Sequence, residues 1–447
     1  MRLFGTDGIR GKAGDSPLDP ATVARVGAAL VHALAESHQG RAVRILIGRD
    51  TRESGEWIER QLARGLMGGG ASVVSAGVLP TPGVAYLTGT DAFDAGIVIS
   101  ASHNPFEDNG IKIFAGRGEK LDVAFERRIE AMVADPSMIV SEANGSPSND
   151  PRLIDEYAAH LRKILPGAGP LTGRRIVIDC GNGATSAIAP ELFKELGFDV
   201  VVMGAAPNGR NINLDCGSTH LAGLQRKVIE TSARLGVAFD GDGDRALFVD
   251  HRGATVDGDA VLLVAGEQLK REGRLPGNTV VATVMSNIGL ELALKDRGIE
   301  LLRTPVGDKY VMEEMTRRKL ALGGEQSGHI IFAEHLFTGD GIGTALQVLR
   351  IMAATDRELE DLARALVTYP QVLVNVRVKE RTDYMRIPAI AATIRDVEQR
   401  LEGQGRLLIR YSGTEPLLRI MLEGKDDREI RQWANDLAAT VKGHLGA

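Results

Sequence analysis

Aromatic residues make up only 4% of this 447-residue chain, with Trp 2, Tyr 6 and Phe 11. So few ring faces exclude a stacking platform for single-stranded nucleic acid. Cysteine is scarcer still, and Cys180 and Cys216 fit neither a zinc spacing nor a disulfide framework. A reducing interior suits them. No excess of positive charge is present either: Lys+Arg 53 against Asp+Glu 59 leaves a net charge of −6. No global field therefore draws DNA or an anionic membrane, and an anionic ligand would have to be caught by local arginines or a metal. No uninterrupted apolar run reaches membrane length, and the opening Met1-Arg2-Leu3-Phe4-Gly5-Thr6-Asp7 has no apolar h-region. The expectation is a cytoplasmic protein with no nucleic-acid and no membrane partner.

Hydrophobic content of 43% and charged content of 25% are those of an ordinary globular protein. The length suggests about three or four domains. One pattern recurs. Arg44-Ile45-Leu46-Ile47 reads as a strand, Ser54 to Met67 as an amphipathic helix with Ile58, Leu62 and Leu66 four apart, and Gly70–Val74 as a second strand. The same order returns at Arg175–Ile178, Ser186–Leu196 and Gly197–Val201, and again at Thr279–Ala282, Asn287–Arg297 and Gly298–Leu302. Strand, helix, strand at this length is a βαβ unit, and three copies predict three similar α/β domains. The tail differs. Val372–Val378 alternates with period two, and a helix near Ile387–Leu401, strands near Leu407–Ile409 and Leu417–Leu422, and a helix from Asp427 predict a smaller C-terminal α+β domain. Boundaries fall near 150, 255 and 368, giving domains 1–150, 151–255, 256–368 and 369–447. The start, Phe4-Gly5-Thr6-Asp7-Gly8-Ile9-Arg10-Gly11, reads as a glycine-rich loop whose Arg10 can reach an anion.

Each copy continues into a third strand with unusual residues at its C-terminal end, where open α/β sheets bind ligands. Ala95–Ile99 runs into Ser100-Ala101-Ser102-His103-Asn104-Pro105, Gly236–Phe239 into Asp240-Gly241-Asp242-Gly243-Asp244-Arg245, and Leu320–Gly324 into Glu325-Gln326-Ser327-Gly328-His329. Three unrelated turns would not choose the same address, so one shared cleft is expected. Asp240, Asp242 and Asp244 alternate, which on an extended chain turns three carboxylates to one side. Hard oxygen ligands suit Mg²⁺. An EF-hand calcium loop fails, because Arg245 stands where its glycine belongs and His251 where its glutamate belongs. The bland rival is an exposed Asp-Gly hairpin.

Arg245 follows the carboxylates and would reach an anion beside them. Glu325 and Ser327 offer an acceptor and a donor–acceptor suited to neighbouring sugar hydroxyls, while His329 is ambiguous, a lone histidine being more often structural than catalytic. Arg410, Ser412, Gly413, Thr414 and Arg419 make a hydroxyl-, N–H- and guanidinium-rich loop between strands, an anion nest or a plain turn with surface arginines. Lys112 lies among apolar neighbours in a strand, where burial would lower its pKa and let it exchange protons. A snorkelling surface lysine is the alternative. Gly307 and Lys309, in Thr304–Lys309, fit a turn or a ligand contact.

Together these motifs resemble the α-D-phosphohexomutase superfamily over nearly the whole chain. Phe4–Gly11, Gln326 and the overall length resemble its bacterial phosphoglucosamine mutase branch. The resemblance implies four domains around a central cleft. It implies a phosphoserine at Ser102, one Mg²⁺ on Asp240, Asp242 and Asp244, sugar contacts at Glu325–Ser327 and a phosphate clamp at Arg410–Thr414. It implies an isomerase that interconverts glucosamine 6-phosphate and glucosamine 1-phosphate through glucosamine 1,6-bisphosphate and so feeds UDP-N-acetylglucosamine and cell-wall precursor synthesis. Lys112 is then the expected proton carrier, His103 its orienter or alternate, and Arg10 with Arg245 the charge partners of the phosphoryl group. The partner is a small sugar phosphate, with a homodimer left open. The rivals are a phosphomannomutase/phosphoglucomutase, a metal-dependent sugar-phosphate phosphatase and a non-catalytic sensor.

Overall fold

The computed structural model describes residues 3–5, 7–36, 41–90, 93–142, 146–401, 403–412 and 415–447. Their contacts divide into one unit of residues 1–285 with 298–364 and another of 286–297 with 365–447.

The first unit holds three sheets with one plan. In the first lobe Ser72–Val78, Arg44–Arg49 and Ala95–Ile99 run parallel, and Asp108–Ala115 returns antiparallel beside the last. The second repeats this with Asp199–Met203, Arg175–Asp179, Leu235–Phe239 and antiparallel Ala246–Asp250. The third does so with Glu300–Thr304, Thr279–Thr283, Leu322–Gly324 and antiparallel Ile330–Phe332. Ala95–Ile99 and Leu235–Phe239 are buried at every position, which is why they read as unbroken apolar runs. In each lobe a short loop leads from the third strand into its antiparallel neighbour. Those three loops carry the serine, the aspartates and Glu325.

Two expectations need correction. The N-terminal stretch is a strand pair, not a loop: Phe4–Gly5 pairs with Gly8–Lys12, which lies antiparallel to Asp108–Ala115 with Ile9 opposite Ile111. Its glycine content permits this approach. Gly8 has φ 82°, and a Cβ there would lie 2.4 Å from the Ile111 carbonyl oxygen. The second copy's helix is also broken. A 3-10 turn at Ala184–Ala187 precedes Ala189–Glu195, because Pro190, lacking an N–H, belongs at a helix start rather than inside one.

Elsewhere in the first lobe, Asp19 caps the helix Pro20–Ala35 by accepting from the Ala21 and Thr22 N–H groups. That helix meets Gly55–Gly68 backbone to backbone: a Cβ on Gly65 would lie 1.9 Å from the Ala24 carbonyl oxygen, and one on Gly27 2.5 Å from that of Leu62. The helix Arg152–Ile164, at the start of the second domain, joins lobes one and three. Tyr157 Oη donates to Asp340 Oδ2 at 2.9 Å, and His160 stacks on Tyr86 with ring centroids 4.0 Å apart and an edge toward His335.

In the second unit, Leu417–Gly424 lies between antiparallel Gln371–Arg377 and Gly405–Tyr411, with Pro388–Leu401 and Asp427–Leu445 sharing its core. Buried Glu423 accepts from the Ile288 N–H at 3.0 Å, at the start of the helix Ile288–Lys295, and pairs with Arg406 at 2.9 Å. A carboxylate there offsets the positive end of the helix dipole.

Gly65→Ala improves helix propensity by about 1 kcal/mol yet should destabilise the protein by about 1–3 kcal/mol, because the added methyl has no room. Urea unfolding checks this. Burial lowers the His160 and His335 pKa values to about 4, and burial raises Asp340 to about 6. The two histidines contribute stability that is lost as pH falls from 6.5 towards 4, since only the unfolded chain then protonates them. Asp340 opposes one of those protons between about 6 and its ordinary 3.8. His160→Phe keeps the stack and should therefore lose less stability between pH 7 and 5 than the wild type, measured by thermal melts.

Candidate active site

The serine loop leaves the strand Ala95–Ile99 and is held against the second lobe. Ser102 is 1% exposed and left-handed, with φ 54°. Its Oγ donates to Asp240 Oδ2 at 2.5 Å and lies 3.4 Å from His103 Nδ1. The serine of lobe one and the aspartates of lobe two thus meet, as the shared address of their loops predicts.

Asp240, Asp242 and Asp244 are all buried, and one oxygen from each lies within 4.8 Å of the others. A turn rather than an extended chain brings them together: the Gly243 N–H donates to the Asp240 carbonyl at 3.1 Å, and Gly243 has φ 72°. Thr81 Oγ1 donates to Asp242 Oδ2 at 2.6 Å, and the Arg245 N–H to Asp240 Oδ1 at 3.1 Å. Asp242 Oδ1 and Asp244 Oδ1 are buried and accept no hydrogen bond among the described residues. Burial, with Asp244 and Asp242 adding to it, pushes the Asp240 pKa well above the ordinary carboxylate value. Orphaned oxygens and mutual repulsion both fit a divalent cation held by hard oxygen ligands.

Lys112 lies on Asp108–Ala115 with its Nζ 2.8 Å from Asp242 Oδ2, 3.3 Å from Asp244 Oδ2 and 3.1 Å from Asp7 Oδ2. Here the expectation fails in sign. Burial does lower the Lys112 pKa, but Asp242, Asp7 and Asp244 outweigh it and hold the ammonium well above its ordinary value. Composition around the strand shows the apolar neighbours and hides three carboxylates from elsewhere in the chain. Asp7 also pairs with Arg10 and, at 2.7 Å, with Lys120. Lys120 reaches Asp308 at 2.5 Å. His329 stands 3.6 Å from both Asp308 and Asp244, so the histidine left open above faces the aspartates. Arg245 Nε lies 3.7 Å from Asp244 Oδ1. Burial lowers the His103 pKa, helped by Arg245 and Arg10, which keeps that ring neutral beside the serine.

In the third lobe, Glu325 Oε1 accepts from the Gly307 N–H at 3.1 Å, and Ser327 Oγ is buried without a hydrogen-bond partner among the described residues. Lys309 does not open onto this loop. Its Nζ bonds the Leu121 carbonyl at 3.2 Å and Glu126 at 3.1 Å, tying lobe three to lobe one.

In the second unit, Arg410 and Arg419 lie directly opposite each other on paired strands. Like charges so placed repel unless an anion joins them. Arg419 Nη2 donates to Ser412 Oγ at 3.4 Å and pairs with Glu415 at 3.2 Å, while its buried Nε is without a hydrogen-bond partner among the described residues. Gly413 and Thr414 lie outside the described residues.

Asp7, Asp50, Arg52, Lys120, Asn213 and Asp308 escaped the sequence reading as site residues. Asp50 and Arg52 had a signal: like the three functional loops, they follow the C-terminal end of a central strand.

The phosphoglucomutase/phosphomannomutase family matches in all its parts: alpha/beta/alpha domain I over residues 1–138, domain II over 155–253, domain III over 257–369 and the C-terminal domain over 373–440. The chain is 50% identical over 448 residues to a phosphoglucosamine mutase of Solibacter usitatus (strain Ellin6076), covering 99% of each. It is 47% identical to a phosphoglucosamine mutase of Geobacter sp. (strain M21), covering 100% of this chain and 98% of that one. Its fold is similar to a phosphoglucomutase/phosphomannomutase family protein of Burkholderia thailandensis, with TM-score 0.79, 24% identity and 98% and 97% coverage. It is also similar to the N-acetylphosphoglucosamine mutase of Aspergillus fumigatus, with TM-score 0.67, 20% identity and 99% and 95% coverage. Sequence, fold and family models agree from end to end: the chain belongs to the phosphoglucomutase/phosphomannomutase family and is an intramolecular phosphotransferase of the isomerase class.

Proposed function

We propose that this enzyme interconverts glucosamine 6-phosphate and glucosamine 1-phosphate, with Ser102 carrying the phosphoryl group and glucosamine 1,6-bisphosphate as intermediate and activator. The observation that carries the reading is the 2.5 Å approach of Ser102 Oγ to Asp240 across two lobes. The names of relatives that are up to 50% identical over the whole chain support the amino sugar. The Aspergillus fumigatus neighbour, described in complex with GlcNAc-6P and magnesium, supports the substrate class and the cation. The product is an activated-sugar precursor, which suits UDP-N-acetylglucosamine supply.

Asp240, Asp242 and Asp244, with the phosphate on Ser102, are the groups that would hold one Mg²⁺ per chain. When bound, that ion neutralises charge on the phosphoryl oxygens. The other steps fall to the protein. Phosphoryl transfer depends on alignment and charge more than on covalent work. As the Ser102 O–P bond breaks, the new O–P bond forms to the free sugar hydroxyl, which gives up its proton, and Ser102 Oγ takes one back. Lys112, held charged, gives a proton to Ser102 Oγ as that oxygen leaves phosphorus and takes the sugar hydroxyl's proton in return, so it ends charged as it began, and neutral His103 orients the serine hydroxyl. Arg10 and Arg245 face the roughly −1.5 to −2 charge of a phosphoserine. Glu325 and Ser327, beside the Gly307 backbone, take the sugar hydroxyls. Lys309 braces the lobes rather than touching the sugar. Arg410, Ser412 and Arg419, with Gly413 and Thr414, hold the phosphate that is not reacting. The intermediate must turn end for end, so a nest of charge that accepts either sugar face suits this task.

Ser102→Ala should abolish turnover of glucosamine 6-phosphate in the presence of trace bisphosphate while leaving sugar-phosphate binding intact. Retained turnover, or no phosphopeptide containing Ser102 in the wild type, would refute the phosphoserine. Arg410→Ala removes a charged hydrogen bond worth about 1.5–3 kcal/mol and should raise KM about 10- to 100-fold, with a smaller change in kcat. An unchanged KM would count against the clamp.

A further inference from the structure

Ser102 adopts a left-handed backbone conformation that is disfavoured for an L-residue relative to the right-handed form. Something must hold it there, because relaxing φ from 54° would swing Oγ away from Asp240. A network centred on buried Asp50, Arg52 and Ser100 does so. The strand Arg44–Arg49 ends in Asp50-Thr51-Arg52, and Arg52 is 1% exposed. Its guanidinium donates Nε to Asp50 Oδ2 at 2.9 Å, Nη2 to the Ser102 and Asn104 carbonyls at 2.9 Å each, and Nη1 to the Pro105 carbonyl. Ser100 Oγ donates to the same Asp50 oxygen at 2.5 Å and accepts the Ser102 N–H at 2.9 Å. From the second lobe, Asn213 Nδ2 donates to the Ser102 carbonyl at 2.9 Å and the Asn104 carbonyl at 3.3 Å.

Both polar groups of the Ser102 backbone are therefore tied down, the N–H through Ser100 and the carbonyl through Arg52 and Asn213. The carbonyl is also walled in, since a Cβ on Gly241 would lie 2.6 Å from it. Three carbonyls converging on one planar fork is a geometry that an ammonium cannot reproduce. None of these contacts involves a side chain assigned above to the sugar, its phosphate or the cation.

We infer that Arg52, working with Asp50, Ser100 and Asn213, is a positioning residue that keeps Ser102 left-handed and its Oγ aimed at the transfer point. The inference rests on the phosphoserine reading. It gives Arg52 a consequence for the chemical step that a packing role alone would lack. Substrate groups are gripped elsewhere, so losing the fork misplaces the phosphoryl donor without loosening the sugar.

The test compares full-length wild type, Arg52→Lys, Arg52→Ala and Asn213→Ala by steady-state kinetics on glucosamine 6-phosphate, with thermal melts to report folding. A misplacement of about 1 Å costs about 100-fold in rate. Both Arg52 variants should lose about that in kcat with KM within about threefold, and lysine should not rescue. Asn213→Ala, which leaves the Arg52 bonds in place, should lose about tenfold in kcat on the same pattern. Folded variants that keep wild-type kcat, or in which KM rises as much as kcat falls, would overturn the inference. So would rescue of kcat by Arg52→Lys. Should the Arg52 variants fail to fold, Asn213→Ala decides alone. Phosphopeptide mapping of the wild type separates the two readings. Phosphate on Ser102 with unaffected variants sinks only the positioning role, whereas active wild type without it sinks both.

Discussion

Three buried carboxylates within 4.8 Å of one another set the terms for the first unit. At about 4 Å, and at the effective dielectric of a partly buried site, each like-charged pair costs about 4 kcal/mol. Cations from other lobes meet that cost in a closed circuit. Lys112 faces Asp244 and Asp7, Lys120 faces Asp7 and Asp308, and His329, whose pKa burial lowers but Asp244 and Asp308 raise on balance, faces both of them. Asp7, Lys112 and Lys120 come from lobe one, Asp244 from lobe two, and Asp308 and His329 from lobe three. Parting any two of these lobes strands a buried charge, which typically costs more than the pair is worth when intact. The charge problem of the candidate metal site thereby helps lock the lobes into register.

Repetition of one sheet plan explains why the circuit can close. One sheet plan, used three times, delivers a loop to the same place in each copy. What differs is the residue type loaded there: a hydroxyl, a set of carboxylates, or a carboxylate with a hydroxyl and a histidine. The scaffold need not change for the chemistry to diverge. The first copy bears an additional demand, because Ser102 sits on a left-handed backbone and needs support on both sides. Asp50 and Arg52 supply it from the end of the neighbouring strand, and Asn213 from the next lobe.

Some of this was legible along the chain because it is local. Period-two and four-apart patterns located the repeated strands and helices, and spacing alone marked the aspartate loop. Where the reading missed, the missing information lay far away in sequence. Glycines at 5, 8 and 11 look like a loop until Asp108–Ala115 arrives as a pairing partner. Lys112 looks like a lysine with a lowered pKa until Asp7, Asp242 and Asp244 surround it. Lys309 looks available until Leu121 and Glu126 claim it.

The order of residues by itself determined the four-part architecture and the place of each unusual loop after its third strand, since periodicity and turn chemistry act over a few residues. Only the tertiary structure decided which charges neutralise which, that a turn rather than an extended run gathers the aspartates, and that Arg52 and Asn213 both hold the Ser102 backbone. Those outcomes depend on distances between groups as far apart in sequence as Lys120 and Asp308, 188 residues. Coulombic and hydrogen-bond energies are functions of such distances, which a linear pattern does not contain.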